Sequence, residues 1–513
     1  MCGSMYKQIL ALGLSLMVPN RANAQSDSLV PPVSHSAVYN IEVAGLGTSG
    51  SRIPFWLRAN QYGTVPHTTP AGLVRLGTTG YFGRSINHTN RRFSYGVEVV
   101  AIAGSRPDMV LPEAYLSVDR GWFSIWVGRK KEIIGLGDST LTSGFYSWSG
   151  NARPITKVQI GTSGFVPLGF TNGLIAINAF FAHGWFPNTD SIQGSYLHQK
   201  VLFGRIGKPN WKVKLYGGLI HTVQWAGRSD YLSKNQSVNG RLPSSFKDYL
   251  SVIIARQPNQ EASYAHIDKV NQIGNHLGSI DVGAEFDLPR WNVLSYYQHP
   301  YEDKSGLKFV NFPDGLYGLR FKRKAPVGTA TPFFRVNQFL FEYLTTLNQS
   351  GFTLGERLQG IDDYFNNFQY INGWTIKRQV IGTPFISPRN DVKPVWQNVL
   401  TGPVWHRLAI INNRVQVLHV GASGVFQSGV QLQTRLSYSV NQGTIRIPFG
   451  QTVGQLSGVV WLTWPLRWLG GSELRTAVAI DSGTLYGNTS GAWLSIRKTV
   501  GSQRFIQNQP TLR

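Results

Sequence analysis

The chain has 513 residues and a formal charge of +23, from 49 Lys and Arg against 26 Asp and Glu, yet charged residues make up only 15% of it. So few charges solvate a soluble surface poorly, and the apolar runs are too few and too short for a helical membrane domain. The positive excess points to anionic partners. No basic cluster carries a nucleic-acid motif, which leaves lipopolysaccharide phosphates or an acidic surface glycan.

The first segment reads as a secretory signal spanning residues 1–24. Lys7 supplies charge, Ile9 to Val18 is apolar, and Ala22-Asn23-Ala24 is a small-x-small cleavage site. Losing Lys7 and Arg21 with it would leave +21. The single cysteine, Cys2, precedes the cleavage site, so no disulfide framework or thiolate chemistry is expected afterwards. Residues 25–70 are expected to hold one strand and a short periplasmic or plug segment, with Phe55-Trp-Leu-Arg-Ala-Asn60 as a short helix near the periplasmic end.

From residue 71 to 513 the dominant signal is period-two alternation. Ala114 to Asp119 and Trp122 to Gly128 form a hairpin turned by Asp119-Arg120-Gly121, where glycine can take positive φ. In Ser279 to Leu288 the even positions Ile280, Val282, Ala284, Phe286 and Leu288 are apolar, while Ser279, Asp281, Glu285 and Asp287 fall between them. Gln431 to Val440 splits in the same way, with Leu436 and Tyr438 opposite Arg435 and Ser439. A soluble sandwich would alternate too, but no second set of elements is available to cover these apolar faces. Closing the sheet on itself with the apolar side to lipid leaves no free edge. The expected fold is therefore an all-β, antiparallel transmembrane barrel of the cell outer membrane. Nineteen segments alternate, one near residue 405 least clearly, and the even-number rule reduces them to about 18. Three inserts exceed turn length, at 138–154, 224–278 and 345–403, and their aromatics among Asn, Gly and Asp mark folded extracellular loops or a lumen plug.

Three short motifs resemble a known family. Gly135-Leu-Gly137 followed by Ser149-Gly-Asn-Ala-Arg-Pro154 is similar to W-G-P-G and S-N-N-A-R-P of the Wzi-type capsule-assembly proteins, in a Bacteroidetes-like form. Gly274-Asn-His-Leu-Gly-Ser-Ile-Asp281 resembles G-N-Q-L-A-G-F-D, and Tyr296-Tyr-Gln-His-Pro-Tyr-Glu-Asp303 resembles Y-x-Q-x-x-G-E-D. The matches span about residues 113–320 in the family's order. They depart from it at Ile133-Ile134, where the family has paired Trp, and in a shortened N-terminal helical region. The resemblance implies a largely plugged, 18-stranded barrel acting as a lectin that anchors capsular or exopolysaccharide at the cell surface. A porin or substrate-specific channel and an outer-membrane hydrolase are the rival expectations.

Sugars present C–H faces to aromatic rings and hydroxyls to amides, acids and guanidinium groups. On that chemistry Trp148, Asn151, Arg153, Tyr364, Tyr370 and Trp374 are the candidate glycan-binding residues. Each has an alternative: Arg153 could pair with an inward acid, and the aromatics could pack a lid. Glu302 and Asp303 are adjacent on a strand end and point apart, which disfavours an acid/base pair. The 11 His residues lack H-x-x-x-H spacing and no G-x-S-x-G occurs, so no metal site, cofactor or catalytic set is expected. Expected partners are the polysaccharide, outer-membrane lipid with lipopolysaccharide, and the barrel-insertion machinery.

Overall fold

The computed structural model describes residues 34–86, 89–189, 191–258, 261, 263–324, 332–351, 362–397 and 407–501. The expected signal segment, 1–24, lies outside the described residues.

Eighteen strands form the wall: β1 Ser34–Thr48, β2 Ala71–Ile86, β3 Thr89–Gly104, β4 Asp108–Arg120, β5 Phe123–Arg129, β6 Thr156–Thr162, β7 Ile175–Trp185, β8 Tyr196–Ile206, β9 Val213–Trp225, β10 Asn275–Asp287, β11 Trp291–Tyr301, β12 Gly315–Arg323, β13 Phe334–Thr345, β14 Val415–Phe426, β15 Gln431–Gly443, β16 Pro448–Leu466, β17 Ser472–Gly483 and β18 Thr489–Gly501. Each pairs antiparallel with its sequence neighbour, and β1 closes on β18 from Val38↔Gly501 to Thr48↔Gly491. Closure pairs every wall strand on both sides, which is the condition for spanning hydrocarbon. No wall strand stands between β13 and β14, which pair directly, so the segment proposed near residue 405 is not in the wall; residues 398–406 lie outside the described residues. The barrel also begins at Ser34 and not at residue 71, because the strand expected in 25–70 is itself a wall strand.

Alternation places apolar side chains outward. Tyr39, Ile41 and Val43 are exposed on β1 while Val38, Glu42, Ala44 and Leu46 are buried, and Val478, Ile480, Leu494 and Ile496 repeat the pattern on β17 and β18. An exposed apolar surface running round a closed sheet is a lipid-facing belt, and the protein is an outer-membrane barrel. Among the described residues no helix is long and apolar enough to cross a membrane.

Connections sort by length to the two ends. Turns such as Gly121-Trp122 and Leu288–Arg290 lie at the end shared by Ser34 and Gly501, while 49–70, 130–155, 226–274, 302–314 and 346–414 leave the other. Short turns mark the periplasmic end of such barrels and long loops the outside. Gly121 turns the expected hairpin at φ +60°.

The loops divide between lumen and rim. Segment 49–70, with helix α1 (Phe55–Arg58), enters from the outer end and not the periplasmic one. It packs in the lumen with 130–155 and the described parts of 346–414. Phe55, Trp56, Phe145, Tyr146, Tyr364, Phe365, Tyr370 and Trp374 are all buried in this plug. Six inward wall side chains hold it. Asp481 accepts from Phe55 N (2.9 Å), Asp281 from Leu136 N (2.8 Å), Glu342 from Ser143 N (2.6 Å) and Gln298 from Tyr146 N (3.1 Å). Ser437 accepts from Trp56 Nε1 (3.2 Å), and His419 Nε2 donates to Leu141 O (2.7 Å). Loop 226–274 behaves differently. Its helix α2 (Phe246–Ile253) lies over the outer wall, where Tyr249 stacks on Trp225 at 4.9 Å and covers the outward-facing His183 and His198. Its far side exposes Phe246, Leu250 and Ile254, extending the lipid-facing surface upward.

Candidate functional site

At the outer end, where β10 and β11 meet the plug, a pocket of about 170 Å³ opens between Asn271–Asn275, Glu302-Asp303 and 362–368, with Arg446 across from them. Asn275, the first residue of β10, is buried; its Oδ1 accepts from Asn367 Nδ2 at 3.3 Å, while its own Nδ2 has no partner among the described residues. A buried amide donor without a partner is costly and calls for an acceptor from outside.

The next residues are placed by local amide chemistry. Asn366 pairs with Ile410 in both directions, Nδ2 to O at 3.0 Å and N to Oδ1 at 3.2 Å, as a neighbouring strand would. Asn367 Oδ1 accepts from the backbone N–H groups of Gln369 (2.8 Å) and Tyr370 (3.2 Å), turning the chain so that Phe368 is left half-buried at the pocket. The Arg446 guanidinium lies 5.0 Å from the Phe368 ring centroid and 3.8 Å from the Asp363 carboxylate, bracing the ring from one side.

Burial dominates the acids here. It pushes Asp362 up to about 7, helped by the charge of Asp303 and opposed by the Ser350 hydroxyl, which donates to it at 2.6 Å. Burial also raises Asp363 and raises Glu302 far above the carboxylate range; Glu302 accepts from Phe365 N (2.8 Å) and Tyr146 OH (3.1 Å), joining wall to plug. Asp303 instead caps the short helix Lys304–Leu307 through Ser305 N (2.7 Å). The pair therefore points to different tasks. With carboxyls that accept or donate, amides that do both, and one ring, the pocket suits a neutral polyhydroxylated ligand better than a polyanion.

The residues singled out from sequence lie elsewhere. Trp374 is fully buried, donates Nε1–H to Ser147 O (2.9 Å) and packs edge-on against Trp148 at 6.2 Å. Tyr364 is fully buried and donates to Asp314 (3.0 Å), and Tyr370 donates to Ala226 O (3.0 Å). None of these rings has a free face, so stacking on a sugar does not fall to Tyr364, Tyr370 or Trp374. Asn151 donates to Val380 O (2.9 Å), joining two plug segments, and Arg153 pairs with Asp108 at 2.5 Å, tying the plug to the wall. The physical reason is common to all six: an insert of this size needs its own core and seams. Phe368, Asn367, Asn275 and Arg446 went unselected, although the pair Asn366-Asn367 next to Phe368 was a readable sign of a polar surface with a ring beside it.

No protein-family model matches the chain, and no curated protein matches it. Among solved structures the chain is similar to Wzi, described as an outer membrane protein involved in group 1 capsule assembly in Escherichia coli and as a carbohydrate-binding β-barrel; the TM-score is 0.55 at 14% identity, over 89% of this chain and 83% of that one. It also aligns with Pseudomonas aeruginosa OpdQ, at a TM-score of 0.44 and 7% identity over 91% of this chain and 99% of that one. For OprD of the same organism the values are 0.43 and 8%, over 91% and 94%. At these identities the likeness to Wzi is one of fold.

Proposed function

We propose that this barrel is a non-catalytic surface lectin that holds capsular or exopolysaccharide at its outer mouth, the role implied by the Wzi-type resemblance and by Wzi's description as carbohydrate-binding. The observation that carries the reading is the plugged lumen combined with the mouth pocket. Buried aromatic side chains of the plug occupy the space a porin leaves open, so a ligand meets Asn275, Asn367 and Phe368 in the mouth pocket instead of passing through. Sugar hydroxyls would donate to Asp362 and accept from the amides, and one C–H face would lie on Phe368.

The test is genetic. Deleting the gene in the source bacterium should convert cell-attached polysaccharide to shed polysaccharide, as read by staining cells and medium. Wild-type protein should restore attachment, and an Asn367→Ala/Phe368→Ala variant at equal surface abundance should not. Unchanged attachment after deletion, or full restoration by the variant, would end the proposal.

A further inference from the structure

A second cavity lies on the other side of the plug, and its chemistry is the reverse of the mouth's. It measures about 530 Å³ and opens among the periplasmic ends of β8 to β12, within the range of small-molecule sites. Its roof is Gly135-Leu136-Gly137, the motif that carried the first family resemblance. The motif is fixed there: Leu136 N donates to Asp281 and Leu136 O accepts from Gln298 Nε2 (3.0 Å), and a Cβ on Gly135 or Gly137 would run into Phe145.

Cations outnumber acids around it. Among the described residues Arg320, Lys322, Arg323 and Lys324 line the cavity, with Glu285 and Asp287 as its carboxylates. Glu285 is already engaged by Lys214 (2.8 Å), Tyr216 OH (3.0 Å) and Asn292 (3.0 Å), and Asp287 by Lys324 (2.7 Å). Arg320 reaches Asn292 at 2.5 Å through one nitrogen, while its buried Nε has no partner among the described residues. Beside the cations stands an apolar wall of Leu136, Leu294 and Phe165. The Phe165 ring is half-buried, lies edge-on to Tyr216 at 5.7 Å and carries the Arg205 guanidinium 5.6 Å from its centroid.

We infer that this cavity is a periplasm-facing binding site for an acidic saccharide, one bearing carboxylate or phosphate groups, with Arg320 and Lys322 on the anion and Phe165 under a sugar face. The plug closes the route from outside, so the ligand arrives from the periplasm. An extended acidic peptide fits less well, because peptides of that kind gain affinity by pairing with a sheet edge and the closed wall offers none. The inference is independent of the lectin reading: it concerns the opposite face and the opposite charge.

Full-length protein in detergent, titrated calorimetrically with trigalacturonate, maltotriose and hexaglutamate, tests it. Trigalacturonate should bind at one site at least about tenfold more tightly than maltotriose and weaken as salt screens the cations. Arg320→Gln/Lys322→Gln should lower its affinity about tenfold or more. Phe165→Ala should lower it for the sugar acid, and the mouth variant Phe368→Ala should leave it unchanged. Heat-modifiable gel migration checks that each variant is folded; should the double variant fail, the exposed Lys322→Gln alone must still weaken trigalacturonate binding. Equal affinity for the neutral trisaccharide in the Phe368→Ala background, where the mouth is disabled, or indifference to Lys322→Gln, overturns the site. Hexaglutamate binding as tightly and insensitively to Phe165→Ala would reassign it to acidic peptides, and loss in Phe368→Ala would move the binding to the mouth.

Discussion

Trp56 is the side chain on which closure of the lumen can be tested quantitatively. It is fully buried on a helix of only four residues, too short to hold its own shape in water. Its ring meets Phe55 at 5.0 Å, His419 at 5.2 Å and Phe385 at 6.0 Å, and the Arg435 guanidinium lies 5.4 Å from its centroid. Its N–H begins a relay: Trp56 donates to Ser437, Ser437 donates to His419 Nδ1 (2.7 Å), and His419 Nε2 donates to Leu141 O on the neighbouring plug segment. Trp56→Ala removes the packing and the first donor together, a loss of about 3–5 kcal/mol by analogy with buried aromatic truncations. At about 1.4 kcal/mol per decade the open-to-closed ratio of the plug rises about a hundred- to a few-thousand-fold. The eighteen-strand wall is paired without Trp56, so the barrel should still assemble and show heat-modifiable migration. Planar-bilayer recording is the assay: wild-type protein should be silent and Trp56→Ala should show bursts of current. A folded variant as silent as wild type, with an unchanged protease-cleavage pattern in 49–70, would refute the idea that this packing closes the lumen.

Three further outcomes are expected. Asp362, held up to about 7 in the folded protein, binds more protons folded than unfolded; the stability it contributes is fullest below its unfolded value near 4 and is lost as pH rises through 7. Asp268 and Asp314, each raised to about 6 by burial, share that sign, while His67, lowered to about 4 by burial, opposes them only below its unfolded pKa of about 6.5. Between pH 6.5 and 8, hydrogen exchange in 362–368 should therefore quicken beyond its intrinsic pH dependence in wild type and less steeply in Asp362→Asn, where the raised Glu302 and Asp363 remain; identical behaviour of the two proteins would contradict this. Val478→Arg, on the lipid face of β17 at 62% exposure, should cost about 2–4 kcal/mol in urea-unfolding measurements in lipid, and a neutral result would mean that this face is not in hydrocarbon. Gly382→Ala would drive a Cβ into the Tyr146 carbonyl and the Phe365 ring, so the seam between 146–149 and 381–383 should open to protease while the wall survives; an intact seam would show that the plug can yield there.

The wall was legible in the sequence because lipid and lumen impose opposite chemistry at every second residue. Val282, Phe286 and Leu288 are exposed and Asp281 is fully buried, as the alternation of 279–288 requires, and Leu436 and Tyr438 face out in the same way. The loops were less legible. A short apolar segment such as 55–58 reads the same whether it enters the lumen from outside or covers it from the periplasm, and only the pairing of Asp481 and Ser437 with it decides. Aromatic residues in the inserts marked folded structure correctly, but composition does not separate a ring that builds an insert's core, as Tyr364 does, from one left at its rim, as Phe368 is. Net charge gave no position: the basic lining lies on the periplasmic side of the plug, while the outer mouth carries the carboxyls.

The account turns on the outer mouth holding a glycan. Full-length protein in nanodiscs, titrated with fragments of the source bacterium's own surface polysaccharide, measures this directly. Saturable binding that is lost in Asn367→Ala/Phe368→Ala and retained in Arg320→Gln/Lys322→Gln is the predicted result. Absence of binding to the wild-type protein, or binding indifferent to the mouth substitutions, would contradict it.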